Sequence, residues 1–204
     1  MTPVQQRVIG SLIEKELTTP DQYPLSMNAL LAACNQSSNR DPVVQLDERV
    51  VSNALEILKA DGLVRVIFSK GNRVDKYKHV LPDALSLDGS SLAVLTVLLL
   101  RGPQTAAELR TRTERLHPFG ATGEVERVLA RLAEREPALV TLLPRQPGRK
   151  EPRWAHLLGA AAAAAPVQEE PPAVAIVATP DDDRIASLER RVADLEDRLR
   201  LLEG

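Results

Sequence analysis

Residues 46–80 read LDERVVSNALEILKADGLVRVIFSKGNRVDKYKHV, and this stretch decides the fold class. Asp47 is a natural helix N-cap, with Leu46 and Val51 at the spacing of a hydrophobic staple across it. Val51, Leu55 and Leu58 then recur at helical spacing, which predicts an amphipathic helix with those residues facing inward. Gly62 supplies the left-handed stop. After it, residues 63–69 and 76–80 read as two strands around the turn Lys70-Gly71-Asn72-Arg73.

Working upstream, Thr2-Pro3-Val4-Gln5 offers an N-cap threonine, a proline at the first helical position and a capping-box glutamine. The helix it opens buries Val4, Val8, Leu12 and Ile13. A second helix begins at Ser26, stapled by Leu25 and Leu30, and runs to about residue 35. Downstream the order repeats. Leu87-Asp88 starts a helix that runs through Leu100, and Thr105-Ala106-Ala107-Glu108 is a capping box for another reaching about Arg115. A third spans about 122–134, with Val125, Val128, Leu129 and Leu132 inward. Residues 139–143 and 153–157 are candidate strands around Pro147-Gly148-Arg149-Lys150. Three helices followed by a hairpin, twice over, is the layout of tandem winged helix-turn-helix domains. The expected fold is therefore mainly α with small β wings (α+β).

The 204 residues carry a net charge of −2, spread unevenly. Residues 1–86 balance, residues 87–158 carry a net +3, and residues 159–204 carry a net −5. Only five aromatic side chains argue against a single-strand stacking platform. One cysteine, Cys34, excludes an intramolecular disulfide framework and a Cys-rich zinc module. No apolar run approaches the ~20 residues of a membrane-spanning helix, and the first residues lack an apolar secretory core. A cytoplasmic protein without membrane contact is expected. Composition divides the chain into residues 1–86 and 87–158 as two winged-helix domains, 159–183 as a flexible Ala/Pro/acidic linker, and 184–204 as a coiled-coil helix.

Leu12-Ile13-Glu14-Lys15 followed by Leu17-Thr18-Thr19-Pro20-Asp21-Gln22-Tyr23-Pro24-Leu25-Ser26 resembles the N-terminal signature of the bacterial YceH family. Asn35-Gln36-Ser37-Ser38-Asn39-Arg40-Asp41-Pro42 resembles its second signature. Leu100-Arg101-Gly102-Pro103-Gln104-Thr105, Arg112-Thr113-Glu114-Arg115-Leu116 and Pro147-Gly148-Arg149-Lys150 are similar to its second half. The resemblance covers roughly residues 3–158 and implies two winged-helix domains. It brings no function with it, since that family is largely uncharacterised.

In winged-helix domains the third helix enters the major groove and the wing meets phosphate or minor groove. The first domain offers Arg49, Ser52 and Asn53 on its third helix, and Lys70, Arg73, Lys76 and Lys78 on its wing. Asp47, Glu48 and Glu56 oppose this, since they would repel phosphate, and the mixed charges of that helix also read as a solvated face. In the second domain Arg127 and Arg131 lie one turn apart, and the wing carries Arg145, Arg149, Lys150 and Arg153. Residues 35–41 read either as a functional loop or as an Asx-turn scaffold between the second and third helices, with Arg40 and Asp41 orienting the chain rather than catalysing.

Catalysis is not expected. His79, His117 and His156 lack metal-ligand spacing, Cys34 has no nearby histidine, and no phosphate-cradling glycine loop or glycine-flanked serine occurs. No cofactor or metal is called for. In the tail, Ile185, Leu188, Val192, Leu195, Leu199 and Leu202 form a heptad with β-branched residues or Leu at a and Leu at d. Arg184, Arg191 and Arg198 at g meet Glu189, Glu196 and Glu203 at e in a parallel pair, so a homodimer is expected. The alternative is an amphipathic helix docked on the chain's own body. The leading functional expectation is double-stranded-DNA binding in transcriptional regulation. The alternative is a protein-interaction adaptor, like the tandem winged-helix subunits of chromosome-condensing complexes.

Overall fold

The computed structural model describes residues 1–68, 74–145, 148 and 151–159. The tail heptad, the linker beyond Gly159, and Lys70, Arg73, Arg149 and Lys150 lie outside the described residues. The described residues fall within one unit of a mixed α+β fold.

Helix α1 (Pro3–Thr18) begins as its cap chemistry dictates, with Thr2 accepting from the Gln5 N–H and the Gln5 side chain accepting from the Thr2 N–H. A short 3-10 turn (Pro20–Gln22) leads into strand β1 (Leu25–Ser26). Ser26 then caps α2 (Met27–Cys34), and Asp47 caps α3 (Glu48–Ala60). Gly62 stops α3 at φ +70°, the left-handed region where a Cβ would be strained. Strands β2 (Val64–Ile67) and β3 (Lys76–His79) form a hairpin, and β1 pairs with the outer edge of β3 to give the order β1-β3-β2. Helix α4 (Leu81–Leu85) occupies the segment that sequence read as a domain boundary.

The second half repeats the scheme. Asp88 caps α5 (Gly89–Arg101), and the Thr105–Glu108 box caps α6 (Ala106–Thr113). Helix α7 (Thr122–Ala133) follows, then β4 (Val140–Leu142) and β5 (Trp154–His156) as an antiparallel pair. Gln104, between α5 and α6, bridges to Trp154, so the extended segment between the first two helices again pairs with the last strand. Helix, extended segment, two helices and a hairpin thus occur twice.

Helix α5 joins the halves. Every residue from Ser91 to Leu100 is buried, as expected of a helix that is apolar all round. Leu92 and Leu99 pack into the first core with Ile9, Leu12, Leu55 and Leu58, while Val94, Leu95 and Leu98 pack into the second with Leu109, Val125 and Leu129. Gly10 lets α1 approach α5 closely: a Cβ there would lie 2.8 Å from Leu100 Cδ2.

Two buried arginines brace the first half. Arg7 donates to the Cys34 and Pro42 carbonyls. Arg40 donates to the Ala33 carbonyl and forms a 2.6 Å salt bridge to Glu14. Both therefore satisfy carbonyls in the last turn of α2, where intrahelical donors run out. From inside the protein Arg40 also donates to the Gln36 side-chain carbonyl and to the Asn39 carbonyl of the 35–41 loop.

Candidate nucleic-acid interface

Helix α3 packs Val51, Ala54, Leu55 and Leu58 inward, which turns Arg49 and Asn53 out to solvent and leaves Ser52 half-buried. The same outer face carries Glu48 and Glu56, and Glu56 pairs with Lys59 at 3.0 Å. It also exposes Val50 and Ile57, the latter half exposed. This face is mixed in charge and partly apolar.

The neighbouring hairpin is different. Antiparallel register sets Arg65 directly opposite Lys78 and Ile67 opposite Lys76. Side chains two apart on a strand share a face, so Arg65, Lys76 and Lys78 form one cationic surface. Among the described residues none of the three has a carboxylate within ion-pair distance. Like charges directly opposite each other weaken a hairpin, and Arg65 and Lys78 form such a pair. Sequence reading included Lys76 and Lys78 but missed Arg65. The signal was the alternation of β2, which puts Val64 in the core and Arg65 outside. Phe68 and Val74, flanking the undescribed turn, are strongly exposed.

Among the described candidate cations of the second half, Arg131 and Arg153 are ion-paired. Arg127 is exposed on α7. Arg131 lies 3.0 Å from Asp88 and also reaches Ser90, so its charge is matched locally. Against the effect of partial burial, the Ser91 N–H, the Ser90 hydroxyl and Arg131 hold the Asp88 carboxyl at about 2. Arg153 is clamped: its two terminal nitrogens sit 2.9 Å from the two Glu108 oxygens, and it also donates to the Pro103 carbonyl. It ties β5 to the start of α6. Arg145 is exposed, ahead of the undescribed turn residues.

His79 Nε2 lies 2.6 Å from a Glu16 carboxylate oxygen, and the His79 backbone N–H donates to the Tyr23 hydroxyl. His79 and His156 are buried in different halves, and no metal-binding group of His, Cys, Asp and Glu occurs among the described residues. Burial pushes the Cys34 thiol up, away from the reactive thiolate. No described helix is long and apolar enough to cross a membrane.

Comparison with known proteins places the chain in a family. The chain is 59% identical over 157 residues to a UPF0502 protein of Geotalea daltonii, covering 77% of this chain and 72% of that one. It is 51% identical over 200 residues to a UPF0502 protein of Pelobacter propionicus, covering 97% and 91% respectively. A UPF0502 protein of Geobacter sulfurreducens is 51% identical over 197 residues, covering 96% and 90%. Residues 1–149 match the family described as "Protein of unknown function, DUF480". With most of its length matched at this level, the chain belongs to the DUF480/UPF0502 family of bacterial proteins.

Proposed function

We propose that this protein binds double-stranded DNA in a regulatory role, as a tandem winged-helix protein that dimerises through its C-terminal helix. The order β1-β3-β2, repeated in reduced form by Gln104, β5 and β4, supports the winged-helix reading. One observation carries the DNA reading: Arg65 and Lys78 stand directly opposite each other, no carboxylate among the described residues lies within ion-pair distance of Arg65, Lys76 or Lys78, and a phosphate backbone would relieve their like-charge repulsion. Helix α3 lies alongside with Arg49 and Asn53 turned outward. The dimer rests on the heptad at Ile185, Leu188, Val192, Leu195, Leu199 and Leu202.

The test is anisotropy with a random-sequence duplex across a salt series. Binding should fall steeply with salt, and Lys76→Glu with Lys78→Glu should shallow the log–log slope by about 0.9 for each phosphate no longer neutralised. No duplex binding at low salt would remove this reading. Sedimentation of a chain truncated before Asp181 tests the tail, and an unchanged dimer would refute its role.

A second reading is favoured by a separate observation. Val50 and Ile57 on α3, with Phe68 and Val74 on the hairpin, expose large apolar side chains in the first half. Such exposure marks contact surfaces, and it fits an adaptor that docks a protein partner.

A further inference from the structure

A cavity of about 380 Å³ opens where the C-terminal turns of α1, α5 and α6 meet the segment after α2. Its volume falls in the ~300–1,000 Å³ range of small-molecule sites. Lys15, Arg101, Arg112 and Arg115 line it, with Glu14 and Glu114 as its carboxylates. Glu14 is already matched, since both of its oxygens accept from Arg40. Four cations therefore face one uncompensated carboxylate. Three helix C-termini add roughly half a negative charge each, and that does not remove the excess.

The partners of these cations are weak. Among the described residues Lys15 and Arg115 have no ion pair. Arg101 donates to the neutral amide oxygen of Asn39. Arg112 lies 4.0 Å from a Glu108 that Arg153 already holds. Burial, and then the like charge of Arg112, push the Arg101 guanidinium down from its ordinary value. Arg101 is half-buried and sits there at a desolvation cost, which Asp41 nearby offsets in part and a bound anion would offset further, while Arg112 and Arg115 reach it from the exposed rim.

Neutral donors are at hand as well. Ser38 lines the recess, and so does Gln36, whose carbonyl is taken by Arg40 while its amide NH₂ remains available. Donors arriving from three helices and a loop suit a group with several acceptor oxygens in a tetrahedron better than a planar carboxylate. All the stretches that carry the family resemblance, except residues 147–150, supply a lining residue.

We propose that this cavity is a binding site for a small phosphate-bearing molecule, held by Arg101, Arg112, Lys15 and Arg115. The ligand bridges α1 and the 35–41 loop of the first half to α5 and α6 of the second. It thereby ties together the two repeats that α5 already joins. The site is separate from the hairpin cations and stands or falls independently of them.

Inorganic pyrophosphate is the probe, titrated into the full-length protein by calorimetry at constant ionic strength. The expected result is saturable binding of one pyrophosphate per chain. Arg101→Gln or Arg112→Gln should weaken it at least roughly tenfold, the loss of one charge-assisted hydrogen bond. Lys78→Gln on the hairpin should leave it unchanged. If either cavity variant fails to fold, Arg115→Gln on the exposed rim makes the same test. The proposal is overturned by a lack of saturation into the millimolar range, by full-affinity binding in the cavity variants, or by an equal loss in Lys78→Gln. A short duplex that displaces pyrophosphate stoichiometrically also overturns it, since the recess would then hold a strand phosphate. Loss of duplex binding in Lys78→Gln, with pyrophosphate binding retained, counts for both sites.

Discussion

Replacing Arg40 by methionine isolates the contribution of a buried guanidinium to this fold. Methionine keeps an unbranched stem of similar reach and deletes only the charged fork. In the native protein that fork is 0% exposed and donates to Glu14, Ala33, Gln36 and the Asn39 carbonyl. Its removal leaves the Glu14 carboxylate, 12% exposed, without its partner, and uncovers the Ala33 carbonyl at the end of α2. Breaking a buried pair by deleting one member costs about 3–5 kcal/mol. For a folded body of this size 1 kcal/mol moves Tm by about 2–4 °C, so a fall of roughly 6–20 °C is expected. Glu14→Leu combined with Arg40→Met removes both charges, and should cost less than the two single changes summed, by about 1–3 kcal/mol. Urea unfolding followed by circular dichroism reads all four proteins. A loss below about 1 kcal/mol for Arg40→Met, or strict additivity in the double variant, would refute the reasoning.

Three further outcomes follow from particular side chains. Gly10→Ala should destabilise by about 1 kcal/mol despite alanine's better helix propensity, because the new Cβ would lie 2.8 Å and 2.9 Å from Leu100 carbons; Gly10→Val should cost clearly more, and a stabilised Gly10→Ala would show that α1 and α5 can part freely. Burial, helped by the nearby Met1 amino group, lowers His156 to about 4 from 6.5. The native state therefore binds this proton later than the unfolded chain does, so stability is full above pH 6.5 and about 3 kcal/mol is lost as pH falls towards 4; His156→Gln should flatten that part of the urea-midpoint profile. Arg153→Ala should loosen β5 from α6, raising amide exchange at Trp154 and Gln104, whose mutual backbone bonds are 2.7 Å and 3.0 Å; unchanged protection there would show that the Glu108 clamp is incidental.

Much of the fold was legible because its start signals are local. Thr2, Ser26, Asp47, Asp88 and Thr105 all cap helices as their spacing predicts, since each cap bond spans only three residues. The amphipathic stripes of α3 and α7 likewise gave their buried faces directly. Strand β1 was not legible, because two residues carry no period, and its existence depends on Tyr77 and Lys76 some fifty positions away. Helix α4 was hidden for a different reason: its proline, Pro82, and its short length mimic a boundary. Of the candidate interface residues, Lys78 was found from charge alone, whereas Arg65 needed the register that sets it across from Lys78.

Arg153 marks the same divide from the other side. In sequence it is one more cation in a basic turn, and in the fold it is clamped to a carboxylate 45 positions earlier. Sequence by itself determined where helices begin, which face each presents, and that helices and hairpins alternate in two rounds. These follow from bonds and periodicities that act within a few residues. Only the tertiary structure decided that α5 serves two cores, that Arg7 and Arg40 are interior, which cations keep an unmatched charge, and that four separate stretches enclose one recess. Those outcomes depend on desolvation and on partners brought together across the chain, and neither is written in local spacing.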